Sequence, residues 1–144
     1  MGPAEQPGGP DAAELARILR AARRIAVVGL RDNPARPAWG VAGYLQRAGY
    51  EIVPVHPVAE TVHGMRGFPD LESAAETGPI DIVNVFRRSE AVPGLVPACV
   101  AVRPMLVWLQ VGVRNDAALQ TLAAAGIPAV QDRCLAVDHR LMGI

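Results

Sequence analysis

Arg24-Ile25-Ala26-Val27-Val28-Gly29-Leu30-Arg31-Asp32-Asn33-Pro34 decides how the rest of this 144-residue chain is read. Ile25 to Val28 is an apolar run of strand length, Gly29 breaks it, and a polar loop carrying Pro34 follows. Beyond the loop, Val41, Tyr44, Leu45 and Ala48 recur at helical spacing, which places them on one face, and Gly49 suits a left-handed C-terminal cap. Strand, glycine turn and helix is the arrangement by which α/β proteins present backbone N–H groups and a positive helix end to an anion. The stretch therefore predicts a parallel α/β fold and a site for a phosphate-bearing small molecule.

Working outward, the alternation continues. Residues 11–22 read as a helix with Leu15, Ile18 and Leu19 on one face and Asp11 as N-cap. Strands are expected over residues 24–29, 51–55, 81–86, 105–111 and 127–131. A polar loop with a turn or short strand joins the second strand to Leu71. Ser89 is placed to cap the helix after the third strand, and Asn115 the next, which closes at Gly126. A last helix is expected over residues 134–141, with Asp132 as a cap. The pattern predicts a Rossmann-like, doubly wound, parallel five-stranded sheet with helices on both faces. Residues 1–10, rich in Gly and Pro, read as a disordered tail, and residues 11–144 as a single domain.

Half of the residues are hydrophobic but only 4% are aromatic, so Val, Ala, Leu and Ile must build the core. Basic and acidic residues balance at net zero, which gives no electrostatic case for nucleic acid or an anionic membrane. No apolar run approaches the roughly 20 residues that span a bilayer. The N-terminus lacks an apolar signal core, so a cytoplasmic protein is expected. Cys99 and Cys134 are too few for a disulfide framework. Every basic residue is arginine, which excludes a phosphate-loop lysine and Schiff-base chemistry.

In such a sheet a ligand sits beyond the carboxyl ends of the strands, at the switch point. That rule nominates the loops at residues 30–38, 56–57, 87–89, 112–115 and 132–134. The dinucleotide fingerprint is missing: after Gly29 the next glycine is Gly40, and the second strand runs into His56-Pro57 with no carboxylate for a ribose hydroxyl. A nicotinamide cofactor is disfavoured, NADP less so than NAD, because an arginine can take its extra phosphate. Arg31 and Arg36 flank the first loop, Pro34 and Pro37 restrict it, and the Arg87-Arg88 pair offers guanidinium forks. Adjacent arginines read equally well as solvated loop residues, and His56 as a structural turn residue. Trp39 is the candidate ligand-facing aromatic, whereas Phe86 and Trp108, within strands, read as core. Gln110 serves as an amide donor or as the order of a strand end, and Asn115 as a ligand group or a helix cap.

The ordered motifs IAVVGLRDNP (25–34), Gly40-Val41, YEIVPVHP (50–57), DIVNVFRRSEAVP (81–93), VWLQVGVRN (107–115), Asp132-Arg133-Cys134 and Asp138-His139 resemble the small stand-alone CoA-binding proteins. These are similar to the N-terminal domain of the succinyl-CoA synthetase alpha subunit. The resemblance covers residues 20–140 and implies a ligand, coenzyme A or an acyl-CoA. It implies that Gly29, Leu30, Arg31, Asp32 and Asn33 would hold the pyrophosphate. Val55, His56 and Pro57 would flank the adenosine end, Phe86 and Arg87 would line the middle, and Gln110 and Gly112 would lie near the pantetheine arm. Arg36, Trp39, Gly40, Arg88 and Asn115 complete the candidate set. In the synthetase the phosphorylated histidine belongs to a second domain, so the resemblance implies binding without self-contained catalysis. Two further readings stand beside it: an NAD(P)-binding enzyme or sensor, and the CoA-site subunit of a separate acyl-CoA ligase-like partner. Residues 135–144 are apolar enough to pack on their own chain or in a homo-oligomer. Cys134 reads as a small core residue or as a thiol that pairs with the CoA thiol. Asp138-His139 reads as a terminal-helix cap or surface pair. Neither Ser73 nor Ser89 lies in a nucleophile motif.

Overall fold

The computed structural model describes residues 9–144, so most of the expected tail lies outside the described residues; Pro10 is already buried. The chain alternates as expected: α1 (Ala12–Ala21), β1 (Arg24–Val28), α2 (Pro37–Arg47), β2 (Glu51–Val55), α3 (Leu71–Ala75), β3 (Ile82–Val85), a 3-10 turn (Ser89–Ala91), α4 (Val92–Val102), β4 (Leu106–Leu109), α5 (Asp116–Ala124), β5 (Ala129–Val130) and α6 (Leu135–Met142). The five strands pair in the order β2-β1-β3-β4-β5, all parallel.

Strand side chains alternate between two apolar layers. Ile25, Val27, Ile52, Ile82, Leu106 and Trp108 pack with α1, α2 and α6. Ala26, Val28, Val53, Val83, Val85, Val107 and Leu109 pack with α3, α4 and α5. Both faces are covered, which is why the strands read as continuous apolar runs rather than alternating ones. From β1 the chain moves outward to β2 and then crosses to β3, so the topological switch lies between β1 and β3. Val28 is in register with both Val55 and Val85, which brings Gly29, His56 and Phe86 level at the carboxyl edge.

Several caps follow the sequence. Asp11 accepts from the Glu14 N–H at 2.8 Å, Asn115 from the Ala118 N–H at 2.9 Å, and Gly49 has φ +106°. Other expectations are corrected. Ser89 caps nothing: its hydroxyl accepts from the Arg114 N–H at 3.0 Å, and α4 starts without a side-chain cap. Asp132 does not cap α6; it accepts from the Gly112 N–H at 2.8 Å instead. Pro37, at the first turn, starts α2 earlier than the pattern suggested. The buried stripe is therefore Ala38, Ala42 and Leu45, with Val41 and Tyr44 half-buried and Ala48 exposed. Asp138 and His139 are buried and pair with different partners, so they are no surface pair. On α6, Leu135 is fully buried while Val137 and Leu141 are exposed. Among the described residues no helix is long and apolar enough to cross a membrane.

Candidate functional site

A cleft of about 440 Å³ opens at the switch point, lined by Gly29, Arg31, Arg36–Ala38, His56–Pro57, Phe86–Arg88 and Ala91. Gly29 makes the strand ends meet. Its φ is +96°, and a Cβ there would lie 2.2 Å from the Phe86 carbonyl oxygen, so no side chain fits. The loop after it is braced locally. Asn33 Oδ1 accepts from the Ala35 N–H at 3.0 Å, the Arg36 N–H bonds the Asn33 carbonyl at 3.0 Å, and Pro37 enters α2 directly. Among the described residues, the N–H group of Arg31, which lines the cleft ahead of α2, has no acceptor within the protein.

Charge sets this cleft apart. Arg31, Arg36, Arg87 and Arg88 line it, and no lining residue is acidic. Among the described residues only Arg31 of the four has an ion pair, with Glu60. His56 Nδ1 accepts from the Val58 N–H at 2.9 Å, so the neutral ring carries its proton on Nε2. Partial burial, then the Arg31 and Arg87 guanidiniums, holds His56 below the ordinary histidine pKa. The hydrogen bond from Arg31, then that from the Asp32 N–H, holds the Glu60 carboxyl below the ordinary range. A second cavity of about 300 Å³ shares His56, Pro57 and Arg87 with the cleft and runs between α3 and α4, along Val55, Leu71 and Leu95. A cavity of about 460 Å³ at the amino end of β5 has Glu14 as its only charged wall, so volume alone does not mark the site.

Of the sequence candidates, the cleft gathers Gly29, Arg31, Arg36, His56, Pro57, Phe86, Arg87 and Arg88. Val55 lines the neighbouring cavity. Leu30 is buried in the core. Asp32 accepts from Trp39 Nε1 at 3.2 Å, and Trp39 packs on the His63 ring at 4.3 Å, so both face the flank of α2. Asn33 faces its own turn, and Gly40 is exposed on α2. Gln110, Gly112 and Asn115 lie towards β4 and β5 and are held there. Gln110 Oε1 accepts from Asn84 Nδ2 at 3.1 Å and from the Leu135 N–H at 3.3 Å. Phe86, core by its strand position but a lining residue by the resemblance, forms a half-buried wall of the cleft, whereas Trp108 is fully buried. Cys134 is half-buried ahead of α6 and does not line the cleft; burial pushes the Cys99 thiol up to about 12. Glu60, Ala38 and Ala91 were not singled out by the sequence. Glu60 sits in an irregular loop with no periodicity to flag it.

A family model for the CoA binding domain matches residues 23–140. The chain belongs to the CoA-binding domain family. An uncharacterized protein of Bacillus subtilis (strain 168), YneT, is 42% identical over 130 residues, 90% of this chain and 95% of that one. A solved structure from Thermus thermophilus superposes with a TM-score of 0.86 at 38% identity, over 92% of this chain and 99% of that one. The dinucleotide-forming acetyl-coenzyme A synthetase 1 of Ca. Korarchaeum cryptofilum shares the fold, with a TM-score of 0.70 at 17% identity, over 82% of this chain and 27% of that one. In this CoA-binding domain, among the described residues, Arg36, Arg87 and Arg88 line the cleft at the β1–β3 switch without an ion pair, whereas Arg114 and Arg133 at the β4–β5 half each have one.

Proposed function

We propose that this protein binds coenzyme A or an acyl-CoA in the cytoplasm, with the phosphates in the cleft at the carboxyl ends of β1, β2 and β3. The observation that carries the reading is the pairing of Gly29, which lets the strand ends close up, with four lining arginines and no lining acid. Guanidinium forks suit phosphate oxygens, and the proline-stiffened loop lowers the entropy lost on ordering. β2 itself runs from Val55 into His56 and Pro57, with no carboxylate at the strand end where a dinucleotide site would need a ribose-binding acid. The cleft lining offers guanidinium groups for phosphate and no thiol, hydroxyl or carboxylate, and the Nδ1 of its one histidine, His56, is taken up by the Val58 N–H, so we read the chain as a binding protein.

Calorimetric titration of ligand-stripped protein with CoA, acetyl-CoA, NAD and NADP tests this. Saturable binding of the two CoA species alone is expected, and binding of NAD or NADP in their place overturns the reading. A second reading has one observation in its favour: the same fold makes up about a quarter of the acetyl-coenzyme A synthetase chain. On that reading the protein supplies the CoA site to a separate ligase-like partner. Co-purification of a stoichiometric partner from native lysate is then expected, and its absence counts against the idea.

A further inference from the structure

Glu60 lies in the connection between β2 and α3, outside every regular element, and does not line the cleft. Its Oε1 accepts from Arg31 Nε at 2.5 Å and from the Asp32 N–H at 3.2 Å. One carboxylate oxygen thus ties two consecutive residues of the loop that follows β1. Arg31 itself lines the cleft, and among the described residues neither terminal nitrogen of its guanidinium has a partner. Because the guanidinium is planar and rigid, fixing Nε fixes the direction of the other two nitrogens.

The anchor behind this contact is itself held. A Cβ on Gly67 would lie 2.2 Å from the Glu60 carbonyl oxygen and 2.8 Å from its nitrogen, so the two backbones are in direct contact. Val62 and Met65 exchange reciprocal backbone hydrogen bonds of 2.9 Å. His63 Nε2 reaches the Trp39 carbonyl of α2 at 2.7 Å, in space that Gly43 leaves open. The carboxylate is therefore presented by a closed turn clamped to α2. Its charge opposes an incoming anion, but the carboxylate does not line the cleft and is partly exposed, so solvent screens it.

We propose that Glu60 is a positioning residue of the phosphate site: it aims the two free nitrogens of Arg31 into the cleft, fixes the Asp32 amide, and so strengthens binding of a polyphosphate ligand despite its own charge. The inference rests on the CoA reading of the cleft. A double-mutant cycle tests it, with CoA titrated calorimetrically into wild type, Glu60→Ala, Glu60→Gln, Arg31→Lys and Glu60→Ala with Arg31→Lys, and far-UV circular dichroism on each. Wild type is titrated first; if it binds no CoA, the reading of the cleft falls and this inference with it. With wild type binding, Glu60→Ala is expected to weaken CoA about tenfold, and Glu60→Gln, which keeps an acceptor on Nε, about threefold. In the Arg31→Lys background, which lacks the guanidinium, Glu60→Ala adds clearly less than in wild type, about threefold or less, the remainder being the Asp32 N–H contact. Affinity that is unchanged or tighter in both Glu60 variants overturns the proposal, as does full additivity with Arg31→Lys.

Discussion

The two halves of the sheet's carboxyl edge use polar residues in opposite ways. At the β1–β3 half, Arg36, Arg87 and Arg88 line a cleft and, among the described residues, none has a carboxylate within ion-pair distance. At the β4–β5 half the polar groups bind one another. Asp132 accepts from the Gly112 N–H, Ser89 from the Arg114 N–H, Gln131 from the Asn115 N–H, and Asp138 from Arg133 Nε at 2.7 Å. Folding costs entropy, and a loop side chain with a protein partner helps to offset it. A cluster of like charges without partners offsets nothing until a counter-charge arrives. The comparison therefore separates residues that hold the edge together from residues that await a ligand.

The largest expected effect lies on the self-paired side. Asp138→Ala leaves the almost buried Arg133 guanidinium, packed over the Trp108 ring at 5.3 Å, without its carboxylate. Loss of about 3 kcal/mol of stability is expected in urea unfolding, with CoA affinity of the remaining folded protein unchanged. A variant that keeps its stability but loses CoA would move Asp138 to the other side of the comparison. On the cleft side, Arg87→Ala should weaken CoA by roughly tenfold, shift the melting temperature little, and flatten the salt dependence of binding. The matched control is Arg114→Ala at the other half, for which CoA affinity should change by less than about twofold.

The fold was legible in the sequence because it rests on local signals: apolar runs, Asp11 and Asn115 as caps, and Gly29 and Gly49 as breaks. What escaped needed three dimensions. α3 has five residues, too few to show a period. Ser89 and Asp132 have the chemistry of caps, yet each faces a closer donor brought in from another loop, at Arg114 and Gly112. For the candidate site, strand-end logic named both halves of the edge but could not divide them. Whether an arginine is paired depends on residues far along the chain, as Arg31 and Glu60 show at a separation of 29.

pH sharpens the contrast. His139 is buried on the structural side, where Nδ1 meets the Tyr44 hydroxyl at 2.8 Å and the Tyr44 and Tyr50 rings meet its own edge to face at 5.6 Å. Burial holds its pKa below the ordinary 6.5, so the unfolded chain takes up the proton first. Its effect on stability is therefore nil well above 6.5, and stability falls as pH drops below 6.5 towards the folded value. Thermal melts from pH 7.5 to 5 should show a steeper acid loss in wild type than in His139→Gln; equal slopes would mean that this histidine does not couple to folding.

The smallest effect belongs to His56. It too is held below 6.5 in the free protein, by partial burial and then by Arg31 and Arg87, and so is mostly neutral at pH 7. A bound phosphate brings negative charge against those same arginines and removes their opposition to a proton on His56. Its pKa rises on binding, and binding takes up a fraction of a proton. CoA affinity should therefore increase as pH falls from 8 to 6.5, by less than about tenfold per unit because one group contributes at most one proton. Calorimetry in two buffers of different ionisation enthalpy gives the proton number directly. Uptake that disappears in His56→Gln places the histidine beside the phosphates. No uptake in wild type would leave His56 as a turn residue, and the ligand-facing side of the edge would then consist of Gly29 and the arginines alone.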